Sequence, residues 1–125
     1  MITGVVNAYR EAVIRVVVRS LQGQEREIEA IVDTGFSGSL TLPTDLVAAL
    51  DLPFRRRGRD LLADGSESLF DIHEATVTWD GRPHLVSVDV ADTDPLAGMT
   101  LLDGYELTVQ AVVAGRVIIR EQASR

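Results

Sequence analysis

Two apolar runs constrain this chain more than any other feature: "AVIRVVVRS" (Ala12 to Ser20) and "EREIEAIVD" (Glu25 to Asp33). The first is dense in β-branched residues, which are stiff at χ1 and suit a pleated surface. The second alternates, with Ile28, Ala30 and Val32 on one side and Glu27 and Glu29 on the other, the period of a half-buried strand. Gly23, in the intervening "LQGQ", supplies a turn, so the pair reads as a hairpin that ends on a carboxylate, Asp33. A carboxylate against an apolar strand is costly unless it is hydrogen-bonded or paired. The residues that follow, "TGFSGSLTLP", can meet that need: Thr34 adds a hydroxyl, and Gly35 permits a tight turn that aims backbone amides at the carboxylate. An isolated Asp-Thr-Gly is more simply read as a turn capped by its own Asp. The apolar approach strand, the Gly-Ser continuation and the "LTLP" strand shift the reading towards function.

The rest of the chain also reads mostly as strands. "TDLVAALDL" is the one clear helix, with Thr44 expected as N-cap, Asp45 in the first turn and Pro53 beyond the end. "RRRGRDLL" and "ESLFDIHEATVTW" flank "ADGS", where Asp64-Gly65 predicts a two-residue hairpin loop with positive φ at Gly65. Asp80-Gly81 predicts a second hairpin, between "ATVTW" and "HLVSVDV". "DTDPLAG" reads as a loop, "MTLLDG" as a short helix ended by Gly104, and "YELTVQAVV" and "RVIIRE" as a last hairpin around Gly115. There is no internal repeat or linker. These elements predict an all-β fold, a closed barrel or sandwich with one or two short helices, in a single domain spanning 1–125.

Composition narrows the function classes. The chain has 12 Lys and Arg against 19 Asp and Glu, a net charge of −7, which argues against nucleic acid or an anionic membrane as partner. It has no Cys, so thiolate metal sites, disulfides and Cys nucleophiles are excluded. Hydrophobic residues make up 46%, enough for a real core. No apolar run approaches the ~18 residues of a membrane helix, and Arg10, Glu11, Arg15 and Arg19 interrupt the N-terminal region, which does not read as a signal peptide. A soluble cytoplasmic protein is the expectation.

Other features have plainer readings. A Ser-His-Asp hydrolase built on Ser37 with His73 or His84 lacks the nucleophile-elbow pattern. "DTD" at Asp92 to Asp94 lacks the ligand spacing of a Ca²⁺ loop and reads as a solvated turn. "FRRRGR" reads as a solvated strand face, and Trp79 as a packing residue beside a turn. Asp33-Thr34-Gly35 is also similar to the phosphate loop of actin-like kinases, but such kinases need a far longer chain and a second phosphate loop.

Three elements in order carry a resemblance to a known family. "VDTGFSGSLTLP", then a hairpin with Ala63, Asp64, Gly65 and Ser66 at its tip, then "PLAGMTLLDGYEL" resemble the active-site segment, flap and C-terminal supporting loop of retropepsin-like aspartic proteases, specifically the small single-domain bacterial ones. The resemblance covers most of the chain and implies the retropepsin-like acid protease fold. It implies Asp33 as the catalytic residue, Thr34, Gly35 and Ser37 in the active-site loop, Ala63 to Ser66 as the substrate-binding flap, and Leu96, Ala97 and Gly98 as the apolar-apolar-Gly support. The flap has one Gly where viral relatives have several, and Ala97 is small for its position. The resemblance implies no metal and no cofactor. It also gives meaning to the single Asp-Thr-Gly. Aspartic protease chemistry needs two carboxylates sharing a proton, so a chain with one such segment is expected to act as a two-fold homodimer on a peptide or protein substrate. The N- and C-terminal strands, including "GRVIIREQ", are the expected interface strands. The competing expectation is a binding or assembly module that keeps the fold without proteolysis.

Overall fold

A computed structural model of the chain describes residues 1–123. Ten strands and two short helices follow one another: β1 (Ile2–Val6), β2 (Ala12–Arg19), β3 (Glu25–Val32), β4 (Leu40–Leu42), α1 (Thr44–Ala49), β5 (Phe54–Leu61), β6 (Glu67–Trp79), β7 (Arg82–Val90), β8 (Leu96–Ala97), α2 (Met99–Leu102), β9 (Tyr105–Val109) and β10 (Arg116–Glu121). They form one sheet in the order β5-β6-β7-β4-β8-β3-β2-β1-β10-β9. A further pairing of β2 with β6, Val17 to Arg19 against Thr76 to Thr78, brings the sheet back on itself. Part of the sheet thus closes into a ring, with β5 and the β1-β10-β9 group outside it. This is the all-β architecture expected, with a partial ring where a closed barrel or sandwich was predicted.

Alternation builds the core. In β2, Ile14, Val16 and Val18 are buried while Arg15 and Arg19 face solvent; in β3, Ile28 and Ala30 are buried between exposed glutamates. Each such aliphatic side chain contributes about 1.5–3 kcal/mol on burial. Leu40, Thr41 and Leu42 of β4 are all buried, as befits a short strand enclosed on both faces. Val47, Leu50 and Leu52 pack the α1 segment onto the same cluster. Trp79 is buried at the end of β6, edge-on to Tyr105 with ring centroids 5.8 Å apart, the packing role expected of it. Its Nε1–H finds no acceptor among the described residues.

Two local expectations change. Thr44 is the first residue of α1 and not its cap; Pro43 holds the cap position, and the Thr44 amide donates to Asp92 Oδ1 at 3.1 Å, so a distant carboxylate supplies what the local side chain was expected to give. The loop between β5 and β6 is longer than two residues. Leu62 N–H donates to the Ser66 carbonyl and Gly65 N–H to the Leu62 carbonyl, with Gly65 at φ 86°, a turn followed by a left-handed residue. Only the positive φ at Gly65 is as predicted. The last hairpin forms around Gly115 as expected, β9 pairing antiparallel with β10, with the left-handed residue of its connection at Ala114, φ 68°. Asp80 (φ 52°) and Gly81 (φ 79°) do form the tight two-residue loop expected between β6 and β7.

β1 lies between β2 and β10, and β10 between β1 and β9. Both strands therefore pair on both sides over part of their length, Ile2 and Thr3 having no partner in β2 and Arg120 and Glu121 none in β1, and β9 carries the free edge on that side. Among the described residues no helix is long and apolar enough to cross a membrane.

Candidate active site

β3 delivers Asp33 to the far end of the sheet, beside β8. Parallel pairing sets Ile31 against Leu96 and Val32 against Ala97, and the Asp33 amide continues the ladder by donating to the Ala97 carbonyl at 2.9 Å. The chain then turns sharply. Gly35 N–H donates to Asp33 Oδ1 at 2.9 Å, and Phe36 N–H donates to the Asp33 carbonyl at 3.1 Å. Asp33 is half-buried; Thr34, Gly35 and Ser37 are exposed. The carboxylate is thus held by its own loop, as the turn reading foresaw, and is still presented at the surface.

The other wall of the loop is the start of α2. Gly98 N–H donates to the Ser39 carbonyl (3.0 Å), Met99 N–H to Phe36 (2.8 Å), Thr100 N–H to Gly38 (3.1 Å), and Thr100 Oγ1–H to Ser37 (2.5 Å). The donors of a helix start are otherwise orphaned; here they satisfy the carbonyls of the Asp33 loop. Gly98 allows this closeness, because a Cβ there would stand 2.2 Å from the Gly38 oxygen and 2.7 Å from the Phe36 oxygen. The Phe36 ring lies over both Gly38 and Gly98. The structure therefore brings Asp33, Thr34, Gly35 and Ser37 together with Leu96, Ala97 and Gly98. Ser37 contributes its carbonyl to this arrangement. Phe36, Ser39 and Thr100 belong to it as well and were not singled out in the sequence. The alternation of Phe36 with small residues was the available signal, since a large ring needs glycines to lie on.

The hairpin tip sits apart. Ala63, Asp64, Gly65 and Ser66 are all exposed, and no hydrogen bond joins them to the Asp33 loop among the described residues. Asp64 accepts from the Ser66 hydroxyl (2.5 Å) and amide (2.9 Å), which hold its carboxyl below the usual carboxylate range. The arginines of β5 are exposed as expected, and three of them face carboxylates of β6: Arg55–Glu74 at 2.8 Å, Arg57–Asp71 at 3.5 Å and Arg59–Glu67 at 3.7 Å.

Neither histidine joins Ser37. His73 Nδ1–H donates to the Leu52 carbonyl at 2.8 Å, with its ring edge-on to Phe54, and His84 is exposed on β7. Asp92 receives the Thr44 amide. Among the described residues no three His, Cys, Asp or Glu side chains are grouped to hold a metal ion.

No family model and no curated protein matches the sequence. Solved structures do match. The EIAV protease complexed with the inhibitor HBY-793 superposes with a TM-score of 0.56 at 18% identity, covering 77% of this chain and 88% of that one. A retropepsin-like aspartic protease from Rickettsia conorii superposes with a TM-score of 0.60, also at 18% identity, covering 98% of this chain and 91% of that one. With an apolar strand ending on Asp33 and the rest of the sheet arranged around it, this chain has the fold of the retropepsin-like aspartic proteases.

Proposed function

We propose that the chain is an aspartic endopeptidase that works as a two-fold homodimer, each copy supplying one Asp33. The observation that carries this is the presentation of Asp33: a half-buried carboxylate at the end of an apolar strand, in a loop braced by β8 and α2, within a retropepsin-like fold. One Asp-Thr-Gly per chain means that a second copy must complete the site. Across the two-fold axis one carboxylate is ionised and takes a proton from water; the other is protonated and gives its proton to the scissile carbonyl oxygen. The water oxygen bonds to the carbonyl carbon. The C–N bond then breaks: the pair gives a proton to the leaving amine and takes one back from a hydroxyl of the tetrahedral intermediate, which becomes the product carboxylic acid, so the pair ends singly protonated again. In this reading Thr34, exposed beside Asp33, bonds across the axis, and the β5–β6 hairpin is the flap that closes over the peptide. β1 and β10 pair on both sides over only part of their length, with Ile2 and Thr3 unpaired towards β2 and Arg120 and Glu121 unpaired towards β1, so the subunit contact uses these ends, the strands' faces or the edge of β9.

The test is cleavage of an unstructured peptide by wild type and Asp33→Asn from acidic to neutral pH, with light scattering on both. Wild type is expected to cleave with a maximum in pH, because only the singly protonated pair works. The near-isosteric variant keeps the dimer and loses at least 10²–10⁴ in rate, roughly the worth of general acid-base catalysis. Equal cleavage by both proteins contradicts the reading. Two identical dimers that cut nothing favour the binding or assembly module, a reading that the flap tip's single glycine also supports.

A further inference from the structure

Phe36 is the large side chain of the Asp33 loop, and it does not sit where a large apolar side chain usually goes. It is half-buried, and it lies across two glycines rather than on the core cluster. A Cβ at Gly98 would stand 2.5 Å from its Cδ2; a Cβ at Gly38 would stand 2.5 Å from its Cζ and 2.6 Å from its Cε1. The backbone of Phe36 is tied at the same time. Its N–H donates to the Asp33 carbonyl at 3.1 Å, and its carbonyl accepts from the Met99 N–H at 2.8 Å. The ring is therefore seated on backbone at both ends, at the start of α2 and at Gly38.

The tip of the ring reaches towards the hairpin. The point where a Gly38 Cβ would stand is also 3.5 Å from Asp89 Oδ2, so the ring tip and Asp89 of β7 are neighbours. Asp89 pairs with Ile72 of β6, which is opposite Arg56 of β5. On its other side Asp89 pairs with Thr41 of β4, which is opposite Leu96 of β8, itself beside Ile31. Register partners share a face. One face thus runs from the hairpin to the strand that carries Asp33, and the Phe36 ring stands on it. A peptide that lies over Asp33 and under the hairpin meets this ring with a side chain next to the bond cleaved. The ring fills the room that the two glycines leave.

We propose that Phe36 is a specificity-determining residue whose ring admits only a small substrate side chain, Gly, Ala or Ser, at one position next to the bond cleaved. The proposal rests on the peptidase reading and adds the substrate class. A larger guest at that position has to push the ring onto the backbone of Gly38 and Gly98, and a close-packed site yields little to added methylenes. Removing the ring leaves a hollow walled by two glycines, which a substrate side chain can fill.

The experiment cleaves one unstructured peptide in Ala, Leu and Phe versions, with the substitution scanned along the positions flanking the cut, using wild type, Phe36→Leu and Phe36→Ala. At one position wild type is expected to favour Ala over Phe in kcat/KM. Phe36→Ala is expected to lower that Ala-to-Phe ratio about tenfold or more, and Phe36→Leu to lower it partway, while the ratios at other positions hold. A ring that only braces the loop would lower turnover of every version together. A ratio that stays unmoved, or a wild type that favours Ala at no position, overturns the proposal and leaves the peptidase reading standing. If Phe36→Ala does not fold, Phe36→Leu decides alone, and the ratio must still fall. In parallel, Asp33→Asn protein with and without Phe36→Leu is titrated with the same peptides, labelled and followed by anisotropy. If wild type cuts nothing, the peptidase reading fails by itself. The steric wall then stands if Phe36→Leu shifts binding towards the Phe peptide. It falls if the relative affinity is unmoved or if neither peptide binds.

Discussion

The Asp33 loop and the β5–β6 hairpin are the two regions that the proposed chemistry needs, and they are built in opposite ways. The loop is fixed on every side: β8 pairs with its approach strand, the first turn of α2 donates into its carbonyls, and Phe36 covers the two glycines where the segments touch. The hairpin has almost nothing beneath it. In β5 only Gly58 is buried, Leu61 and Leu69 are exposed, and the arginine pairs on its outer face lie in solvent. Such pairs contribute about 0–1 kcal/mol each. A catalytic group loses much of its effect when misplaced by an ångström, whereas a cover must open for every substrate. Regions with few apolar contacts open at low free-energy cost. Rigidity and looseness here follow the demands of the two tasks, and each contrast can be tested by a single substitution.

The largest expected effect is at the rigid pole. Gly98→Ala would drive a methyl group into the Gly38 and Phe36 carbonyl oxygens, both backbone atoms with little room to yield. We expect a loss of about 3 kcal/mol or more in urea unfolding, at the upper end of overpacking costs. A loss under about 1 kcal/mol would mean that the loop is less tightly braced than its hydrogen bonds suggest.

Gly65→Val should act quite differently. The residue sits at φ 86° with nothing near its Cβ position, so the variant is strained but not crowded. Left-handed backbone costs about 1–2 kcal/mol for an ordinary residue, more for a β-branched one. Because the tip is loosely held, that strain is expected to reshape the hairpin locally. Peptide turnover should fall more than the unfolding midpoint does. Equal loss of both would make the hairpin a structural turn.

How much of this was legible beforehand follows the same divide. The β-branched run at Ala12 to Ser20 and the period-two alternation of Ile28, Ala30 and Val32 identified two strands, and the alternation gave the second its buried face, because a strand's pattern is local. The order of Asp33-Thr34-Gly35, Asp64-Gly65 and Leu96-Ala97-Gly98 pointed to the fold. What the sequence hid was non-local or competitive. Thr44 looked like a cap, yet Asp92, 48 residues away, takes its amide. Asp64-Gly65 looked like a two-residue turn, but Leu62 and Ser66 bond across it and lengthen the loop.

The smallest expected effect compares two carboxylates, one on each side of the divide. Accepting from the Thr44 amide holds Asp92 below the usual carboxylate range, as Ser66 does for Asp64. A folded-state value below the unfolded one stabilises above the ordinary carboxylate value, about 3.9 for Asp, and the contribution fades as pH falls through the folded value. Asp92 ties α1 to a distant segment, whereas Asp64 reaches only two residues along the hairpin. Asp92→Ala should therefore lower the melting temperature slightly at pH 7, with the gap narrowing towards pH 3. Asp64→Ala should leave global melting nearly unmoved at both. An equal drop from both would show that the hairpin is coupled to global stability after all.

The central claim is that two copies of Asp33 make one active site, and mixing subunits tests it most directly. Wild type and Asp33→Asn are combined in equal amounts, allowed to exchange, and assayed at fixed total protein on an unstructured peptide. If catalysis needs Asp33 from both subunits and pairing is random, only wild-type pairs work, and activity falls to about a quarter of that of pure wild type. Activity that falls only to about half, in proportion to the wild-type chains present, would mean that each chain acts alone and would contradict the account.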